Sequence, residues 1–396
     1  MATPAIPADE KEITKGAALQ FVVLLGVVSL FADMTYEGAR SITGPYLALL
    51  WAGATAVGVV SGFGELIGYA LRLASGYLAD RTERYWAVTI IGYGVNVLAV
   101  PLLALSGRWE VAAALIMAER MGKAIRTPAR DAMLSHATHE MGRGWGFGLH
   151  EAMDQIGAML GPLIVAAVLY FRGGYRTSFA VLLIPALLAL GVLGAARWLY
   201  PRPRDLEAAL PELETKGFPR AFWIYLAAVS LIAAGYADFP LIAYHFQKVA
   251  AVSDSWIPVF YAVAMGVDAL AALLFGAFFD KVGLSILIIS ALLSSFFAPL
   301  AFLGGFSLAL AGVALWRVGM GAQESIMRAA VAGMVSMKRR GAAYGIFNAG
   351  YGIFWFLGSA LMGFLYDYSI PGLIVFSIGM QLASIPLLLW VKREGS

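Results

Sequence analysis

The stretch "RGWGFGLHEAMDQIGAMLGP" at residues 143–162 aligns without gaps on "RGAAYGIFNAGYGIFWFLGS" at 340–359, and the two stretches begin 197 positions apart. Two further pairs lie at nearly the same offset. "GYLADRTER" (76–84) matches "GAFFDKVGL" (276–284), and "SLFADMTYEG" (29–38) matches "SLIAAGYADF" (230–239). A recurring offset indicates an internal duplication. The sequence therefore predicts two halves that run in parallel through the same architecture.

The composition is typical of a membrane protein. Hydrophobic residues make up 60% of the chain and charged residues 13%, against about 45–50% and 25% in soluble proteins. A helix needs about 20 apolar residues to cross a bilayer. Twelve such spans are predicted, at 17–40, 54–79, 85–106, 110–132, 145–170, 175–198, 221–246, 257–279, 284–304, 307–331, 342–366 and 371–391. We expect an all-α polytopic membrane protein of 12 transmembrane helices in two six-helix parallel repeats.

The connectors between spans predict the orientation. Most lysines and arginines of the connectors lie in every second connector, and therefore on one side of the membrane. By the positive-inside rule that side is cytoplasmic. Both termini are then cytoplasmic. The first sixteen residues have no short apolar region with a cleavage site, so we expect the first span to act as its own insertion signal. The predicted organisation is a segment 1–16, a six-helix bundle 17–199, a cytoplasmic linker 200–220, a second bundle 221–391 and a tail 392–396.

Several motifs point to one family. "GYLADRTER" resembles the signature between the second and third helices of the major facilitator superfamily, and "GAFFDKVG" resembles its recurrence after the eighth helix. "RMGKA" from Arg120 resembles the fourth-helix motif. "GAMLGP" (157–162) resembles part of the fifth-helix motif of the bacterial drug/proton antiporter branch, although Val165 and Ala166 stand where that motif ends in two glycines. The resemblance covers the whole chain.

This resemblance implies the superfamily's fold and a substrate site at the midplane between the halves, reached by alternating access. It also implies a cytoplasmic latch in which an aspartate caps a helix N-terminus of the other half, where the helix dipole favours a carboxylate. The gating residues carried over in this way are Gly76, Asp80, Arg81, Arg84, Asp280 and Lys281.

Charged residues inside the spans are concentrated in a subset of helices. Spans one, two, four, five, seven, eight and ten contain them, whereas spans three, six, nine and twelve have essentially none away from their ends. Ionisable groups in a bilayer are costly and normally face a cavity or a partner. The resemblance implies that the third helix of each triplet faces lipid, which agrees with this census.

The fourth span holds an unusual ladder, "AERMGKAIRTPARD" at 118–131. Spacings of three and four place Glu119, Lys123, Arg126 and Arg130 on one helical stripe, at the depth of acids in the fifth span. Two interpretations stay open. The ladder is either a neutralising network that holds spans four and five together, or its cations meet an anionic substrate group or a coupling carboxylate. The predicted substrate-binding residues are Arg120, Lys123, Arg126, Glu119, Asp154, His150, Tyr36, Asp238, Glu324, Tyr351 and Trp355.

Four carboxylates are candidates for proton coupling. Glu65 and Asp268 lie near the middle of their spans, and Asp33 and Glu37 lie in the first span. A carboxyl group in apolar surroundings resists ionisation and can exchange a proton near neutral pH when water reaches it.

The function expected from these features is secondary active transport, most simply proton-coupled export of a small organic molecule. Proton-coupled uptake of an organic anion is the alternative that the ladder cations favour, and export of a divalent metal ion through His150, Glu151 and Asp154 comes third. A non-transporting receptor or scaffold on the same fold is the alternative of a different class.

We find no catalytic motif, and we expect no enzyme activity, no cofactor, no resident metal and no nucleic-acid partner. The expected partners are the lipid bilayer, protons and a small-molecule substrate, in a bacterial inner membrane, with the protein as a monomer.

Overall fold

The computed structural model describes residues 15–82, 84–137, 143–201, 217–335 and 340–394. Twelve long helices, numbered here in chain order, make up this part of the chain. They are α1 Lys15–Leu49, α2 Ala54–Thr82, α3 Tyr85–Leu102, α4 Trp109–Ala137, α5 Arg143–Tyr170, α6 Gly174–Leu199, α7 Arg220–Lys248, α8 Trp256–Val282, α9 Ser285–Leu303, α10 Phe306–Met334, α11 Arg340–Tyr368 and α12 Ile370–Glu394.

Ten of these helices are long and apolar enough to cross a membrane. The other two, α4 and α10, have 29 residues each but carry buried charged side chains, which lower their hydropathy. A helix satisfies its backbone hydrogen bonds internally, as a lipid-embedded segment must. The prediction of an all-α, twelve-helix membrane protein is confirmed.

The helices follow the repeat that the sequence alignment predicts. α5 begins at Arg143 and α11 begins at Arg340, the two arginines that open the aligned stretches. α2 ends at Thr82 and α8 ends at Val282, again at aligned positions. We call α1–α6 the N-terminal half and α7–α12 the C-terminal half. Most of the predicted linker between them, 202–216, lies outside the described residues, so the domain boundaries stay a prediction.

Two predicted spans differ from the structure in ways that matter for the centre of the molecule. The first span was expected to end at residue 40, but α1 continues to Leu49. α7 was expected to be continuous, but it consists of two segments, Arg220–Ala234 and Phe239–Lys248. Pro240 lies in the first turn of the second segment, where a proline is tolerated because the N–H groups there have no intrahelical partner. Asp238 lies in the break. α6 and α9 have similar interruptions, after Val181 and Ser294.

Both described chain ends lie on one side of the bundle, because the number of helices is even. We call it the terminal side, and the opposite side the far side. The two halves contact each other on the far side. Gly44 of α1 packs against the backbone of Pro240 and Tyr244 in α7, and Gly58 of α2 packs against Ser359 in α11. Glycine allows this approach because it has no Cβ.

The close packing of α3 on α4 gives a test of the fold. A Cβ atom on Gly122 would lie 2.7 Å from both the Cα of Asn96 and the carbonyl oxygen of Gly92. Because these are backbone atoms that cannot move independently, we expect Gly122→Ala to lower the stability by about 1–3 kcal/mol. Thermal unfolding in detergent measures this. Gly94→Ala is the matched control, since a Cβ on Gly94 meets no atom within 4 Å. Equal melting temperatures for the two variants would contradict this packing.

Candidate functional site

A cavity of about 550 Å³ lies between the two halves. Its described lining residues come from α1, α2, α4 and α5 of the N-terminal half and from α8, α10 and α11 of the C-terminal half. No described residue of α3, α6, α9 or α12 lines it, as the charge census predicts. Its volume lies in the range of about 300–1,000 Å³ that is typical of small-molecule sites.

The cavity extends from the middle of the bundle towards the terminal side. On α4 the lining residues extend from Arg120 near the middle of the helix to Arg130 towards the terminal side, and on α11 they extend from Trp355 near the middle to Phe347 towards the terminal side. The far side is closed by contacts between the halves. There the Asp367 carboxylate at the end of α11 accepts hydrogen bonds from the backbone N–H of Ala54 at 3.1 Å and of Thr55 at 2.8 Å, and from the Thr55 hydroxyl at 2.7 Å. A carboxylate at a helix N-terminus satisfies otherwise free N–H groups, so Asp367 fastens α11 to the start of α2.

The two walls of the cavity differ in chemistry. Most lining residues of the N-terminal half are charged: Asp33, Glu37, Arg40, Glu65, Arg72, Arg120, Lys123, Arg126, Arg130, Glu151 and Asp154. Among the described lining side chains of the C-terminal half, only Asp268 and Arg317 are charged, and the rest are chiefly aromatic residues, methionines and amides. The cavity therefore has one charged wall and one mainly apolar wall.

Glu65 of α2 lies between two arginines. Its Oε1 accepts a hydrogen bond from Nη2 of Arg40 at 3.0 Å and lies 3.1 Å from Nη1 of Arg120. Arg40 also reaches Asp238 in α7, at 3.6 Å. Ion pairs in a low-dielectric interior are stable only when both charges are well compensated. The Arg40 guanidinium thus contacts one acid of each half, Glu65 and Asp238.

A second set of contacts surrounds Lys123. Its ammonium group donates to the Tyr36 hydroxyl at 2.6 Å and lies 3.9 Å from the centre of that ring. The Tyr36 hydroxyl in turn donates to Asp33 at 3.0 Å. On the other side of Lys123, Glu37 lies 4.0 Å away and accepts a short hydrogen bond from Tyr261 of the C-terminal half. These contacts connect α1 and α4 with α8.

The terminal part of the ladder is held more tightly. Arg126 is 1% exposed, lies 3.6 Å from Asp33 and stacks on the Tyr93 ring at 4.2 Å. Arg130 pairs with Asp131 at 2.8 Å and with Asp154 at 3.7 Å. These contacts support the interpretation of the ladder as a neutralising network. Lys123, with a side-chain exposure of 22%, is the most accessible of the ladder cations.

The C-terminal half contributes two buried acids. Asp268 of α8 lies 3.7 Å from Arg317 of α10, whose guanidinium stacks over Trp316 at 4.6 Å. Asp238, in the break of α7, accepts hydrogen bonds from the indole N–H of Trp355 at 3.0 Å and from the Ser359 hydroxyl at 2.8 Å. The break is therefore stabilised by α11.

Most of the predicted site residues meet at this cavity. Those that line it are Asp33, Tyr36, Glu37, Glu65, Arg120, Lys123, Arg126, Asp154, Asp268, Tyr351 and Trp355. Three others are buried beside it. Glu119 accepts a hydrogen bond from the Asn96 amide at 2.8 Å, His150 contacts Ser29 and Asp154 at 3.1 and 3.4 Å, and Asp238 is placed as described above. The side chain of Glu324 lies outside the described residues.

The predicted gating residues lie at the terminal ends of α2, α3 and α8. Gly76 faces Pro128 of α4, and a Cβ atom at position 76 would lie 3.4 Å from the Cβ of that proline. Arg81, Arg84 and Lys281 are exposed. The side chains of Asp80 and Asp280 lie outside the described residues, so the latch itself stays a prediction.

Sequence reasoning missed two residues that connect the halves. The predicted first span, 17–40, ends at Arg40 and so places this residue at the edge of the membrane. The apolar run that follows, "SITGPYLALLW" at 41–51, indicates that the helix continues and that Arg40 lies inside the membrane. Tyr261 gave no signal, because nothing local distinguishes it from other aromatic residues of the spans.

A metal site has little support in the described residues. They contain no group of three histidine, aspartate or glutamate side chains arranged to hold a metal ion. Nε2 of His150 lies 3.1 Å from the Ser29 hydroxyl, and Nδ1 lies 3.4 Å from Asp154. Both ring nitrogens are thus already engaged.

Relatives of the chain cover most of its length. An uncharacterized protein of Mycobacterium tuberculosis (strain ATCC 25618 / H37Rv) is 42% identical over 95% of this chain and 94% of its own. An uncharacterized MFS-type transporter of Methanocaldococcus jannaschii is 25% identical over 69% of each chain.

Solved structures share the fold at low sequence identity. A bacterial homolog of the human lysosomal transporter Spinster, in an inward-facing and unoccupied conformation, matches 98% of this chain and 97% of its own, with a TM-score of 0.67 and 14% identity. A POT family transporter in complex with 5-aminolevulinic acid matches 94% and 96%, with a TM-score of 0.75 and 13% identity. The model of the Major Facilitator Superfamily matches residues 23–316. With that match across most of the chain, on twelve helices around a central cavity, the protein belongs to the major facilitator superfamily.

Proposed function

We propose that this secondary transporter is a proton-coupled exporter of a small organic molecule, working by alternating access as a monomer in a bacterial inner membrane. The observation that carries the proposal is the charged cavity between the halves, closed on the far side by Asp367 and the glycine contacts. The positive-inside rule makes the terminal side cytoplasmic. The cavity then faces the cytoplasm, where an exporter takes up its substrate.

We propose that Glu37 carries the coupled proton, because its charge is tied to the contact between the halves. It lines the cavity, accepts a hydrogen bond from Tyr261 of the C-terminal half, and lies 4.0 Å from Lys123. Protonation of Glu37 would weaken both contacts, so its charge is linked to the contact between the halves. A group whose protonation changes the relative free energies of two conformations couples the proton to the conformational cycle.

Glu65, Asp33 and Asp268 remain candidates with different constraints. Glu65 would have to lose Arg40 and Arg120 before accepting a proton. We propose that Glu65 chiefly holds α1, α2 and α4 together. Asp33 and Asp268 each face one arginine, at 3.6 and 3.7 Å, and their protonation would free Arg126 or Arg317.

Proton coupling predicts a defect in Glu37→Gln. In proteoliposomes with a pH-sensitive dye inside, substrate added to the wild type should move protons, and Glu37→Gln should reduce this signal to that of empty liposomes. Exchange of labelled for unlabelled substrate should persist, because glutamine still accepts the hydrogen bond from Tyr261. The matched control is Glu151→Gln, an exposed cavity acid bonded to Gln155 at 3.3 Å. Full substrate-driven proton movement in Glu37→Gln would show that coupling lies elsewhere.

Uptake of an organic anion is the second candidate function, since the cations of α4 face the same cavity. The same assay distinguishes uptake from export, because the pH gradient that accelerates substrate movement has opposite directions in the two cases. The terminal latch of Gly76, Asp80, Arg81, Arg84, Asp280 and Lys281 is proposed to close the terminal side when the far side opens, and that closure would have to break and re-form in each cycle.

A further inference from the structure

The apolar wall of the cavity contains a row of aromatic rings along α11. Phe347, Tyr351 and Trp355 follow one another at intervals of four residues, which places them on one helix face. The centres of the Phe347 and Tyr351 rings lie 6.1 Å apart with 17° between their planes, and those of Tyr351 and Trp355 lie 5.5 Å apart. All three residues line the cavity. Such a surface favours the flat or apolar body of a ligand.

Arg72 of α2 is the cavity cation without an ion-pair partner among the described side chains. Its Nε is buried and has no hydrogen-bond partner there. Its guanidinium lies 5.7 Å from the centre of the Tyr69 ring. A guanidinium nitrogen that is buried without a hydrogen-bond partner is costly, and the cost falls when a ligand supplies an anion.

The other cations of the charged wall are engaged. Arg40 and Arg120 hold Glu65, Arg126 faces Asp33, and Arg130 holds Asp131. Lys123 donates to Tyr36 at 2.6 Å. An anion that bound to any of them would compete with a group of the protein, whereas at Arg72 it would not.

Arg72 stands next to the aromatic row. The Tyr69 ring beneath its guanidinium meets the Tyr351 ring edge to face, with centres 5.7 Å apart and planes at 80°. Tyr69 belongs to the N-terminal half and Tyr351 to the C-terminal half, so this contact crosses the cavity. A ligand whose anionic group binds Arg72 would have its body against Tyr69, Tyr351 and Phe347.

We propose that the cavity binds an amphipathic organic monoanion, with its carboxylate or similar group on Arg72 and its apolar body on the aromatic row of α11. This inference rests on the proposed function, because it names the substrate class of the same cavity. The guanidinium offers paired N–H donors that match a carboxylate. The volume of about 550 Å³ accommodates a body of one or two rings.

The test uses the purified full chain and three carboxylates: 1-naphthoate, 4-phenylbutyrate and decanoate. Each is compared with the alcohol and the primary amine of the same carbon skeleton, and acetate serves as the anion without a body. Binding is measured by isothermal titration calorimetry in detergent, and uptake in proteoliposomes is measured separately. We expect at least one carboxylate to bind more tightly than its alcohol and its amine, and more tightly than acetate.

Paired variants then locate the site. Arg72→Gln should weaken binding of that carboxylate by about ten- to a hundredfold, the value of a lost hydrogen bond to a charged group. Arg72→Lys should retain part of the affinity. Arg108→Gln is the control, an exposed arginine paired with Glu110 at 3.2 Å. Tyr351→Ala should also weaken binding, against the control Tyr368→Ala, an 83% exposed residue at the far end of the same helix.

The outcomes separate the inference from the proposed function. Tighter binding of an amine or an alcohol than of its carboxylate, or no binding of any carboxylate, overturns the inference, even if Arg72→Gln cannot be purified. Unchanged carboxylate affinity in a folded Arg72→Gln overturns it too. Carboxylate binding that depends on Arg72, without uptake in proteoliposomes, supports the inference and counts against the proposed transport. Proton-coupled uptake of an amine, without uptake of any carboxylate, supports the proposed transport and counts against the inference.

Discussion

Arg126→Leu is expected to destabilise the protein by about 3–5 kcal/mol, the range measured when one partner of a buried ion pair is removed. Arg126 is almost fully buried, and its guanidinium lies between the Asp33 carboxylate at 3.6 Å and the Tyr93 ring at 4.2 Å. Leucine fills part of the space but removes the cation that lies 3.6 Å from the buried Asp33 carboxyl. That group must then either stay charged in a poorly compensated site or take up a proton, and both cost stability.

Thermal unfolding in detergent tests this expectation. The double variant Asp33→Asn/Arg126→Leu should recover much of the lost stability, because it removes both charges. Arg108→Leu, which removes an exposed arginine, should melt within a degree or two of the wild type. If the single variant is as stable as the wild type, or the double variant is less stable than the single, the contact between Arg126 and Asp33 does not stabilise the N-terminal half.

Arg40→Gln should slow transport by about a hundredfold, equivalent to nearly 3 kcal/mol, while the protein remains folded. Arg40 holds Glu65 at 3.0 Å and Asp238 at 3.6 Å. Glu65 keeps Arg120 in the variant, but Asp238 loses its cation and the two halves lose an ionic contact at the centre of the molecule. The conformation described here is therefore destabilised relative to others of the cycle.

The measurement is the rate at which proteoliposomes carry the organic substrate that the wild type carries fastest. Arg40→Lys should be intermediate, since a single ammonium cannot reproduce the two contacts of a guanidinium. The control is Arg176→Gln, an exposed arginine outside the cavity that donates to the Ser106 carbonyl at 3.3 Å. Wild-type transport in Arg40→Gln would exclude a role for this bridge in the cycle.

Sequence reasoning predicts the fold well because the relevant signals are local. A run of about 20 apolar residues is visible without tertiary information, and so are the repeated stretches that open α5 and α11. The assignment of charges to particular spans also indicated that α3, α6, α9 and α12 lie away from the cavity, because a bilayer forces buried charges towards one another. It did not indicate α11, which lines the cavity with uncharged side chains.

The partners of each charge could not be predicted in the same way. Glu119 and Arg120 are neighbours in the chain and contact each other at 3.3 Å. Glu119 also accepts a hydrogen bond from Asn96 of α3, while Arg120 extends into the cavity towards Glu65. The direction of a side chain changes by about 100° from one helix residue to the next, so membership of a span does not specify which neighbouring helix a side chain faces. The facing side chain is therefore set by the packing of the helices.

Arg40 and Asp238 show a second limit. Arg40 lies at the end of a predicted span, and Asp238 lies at a break inside a span predicted to be continuous. The break follows from Gly235 and Pro240 together, a pattern that also occurs in continuous membrane helices. The role of the break is evident only from the packing, in which Trp355 and Ser359 donate hydrogen bonds to the Asp238 carboxylate.

The central claim is that the two halves alternate between closure on the far side and closure on the terminal side. Its most direct test is the distance between nitroxide labels in lipid nanodiscs, and the absence of cysteine from the chain leaves no native thiol to remove. One pair replaces Trp51 and Tyr368 on the far side, which are 93% and 83% exposed, and another replaces Thr82 and Val282 at the terminal ends of α2 and α8.

We expect two populations in each pair that change in opposite senses between pH 5 and pH 8, the far-side distance lengthening as the terminal distance shortens. Asp367→Ala, which removes the cap on α2, should increase the population with the far side open. A single distance in both pairs, unchanged by pH and by Asp367→Ala, or distances that lengthen together on both sides, would contradict the account.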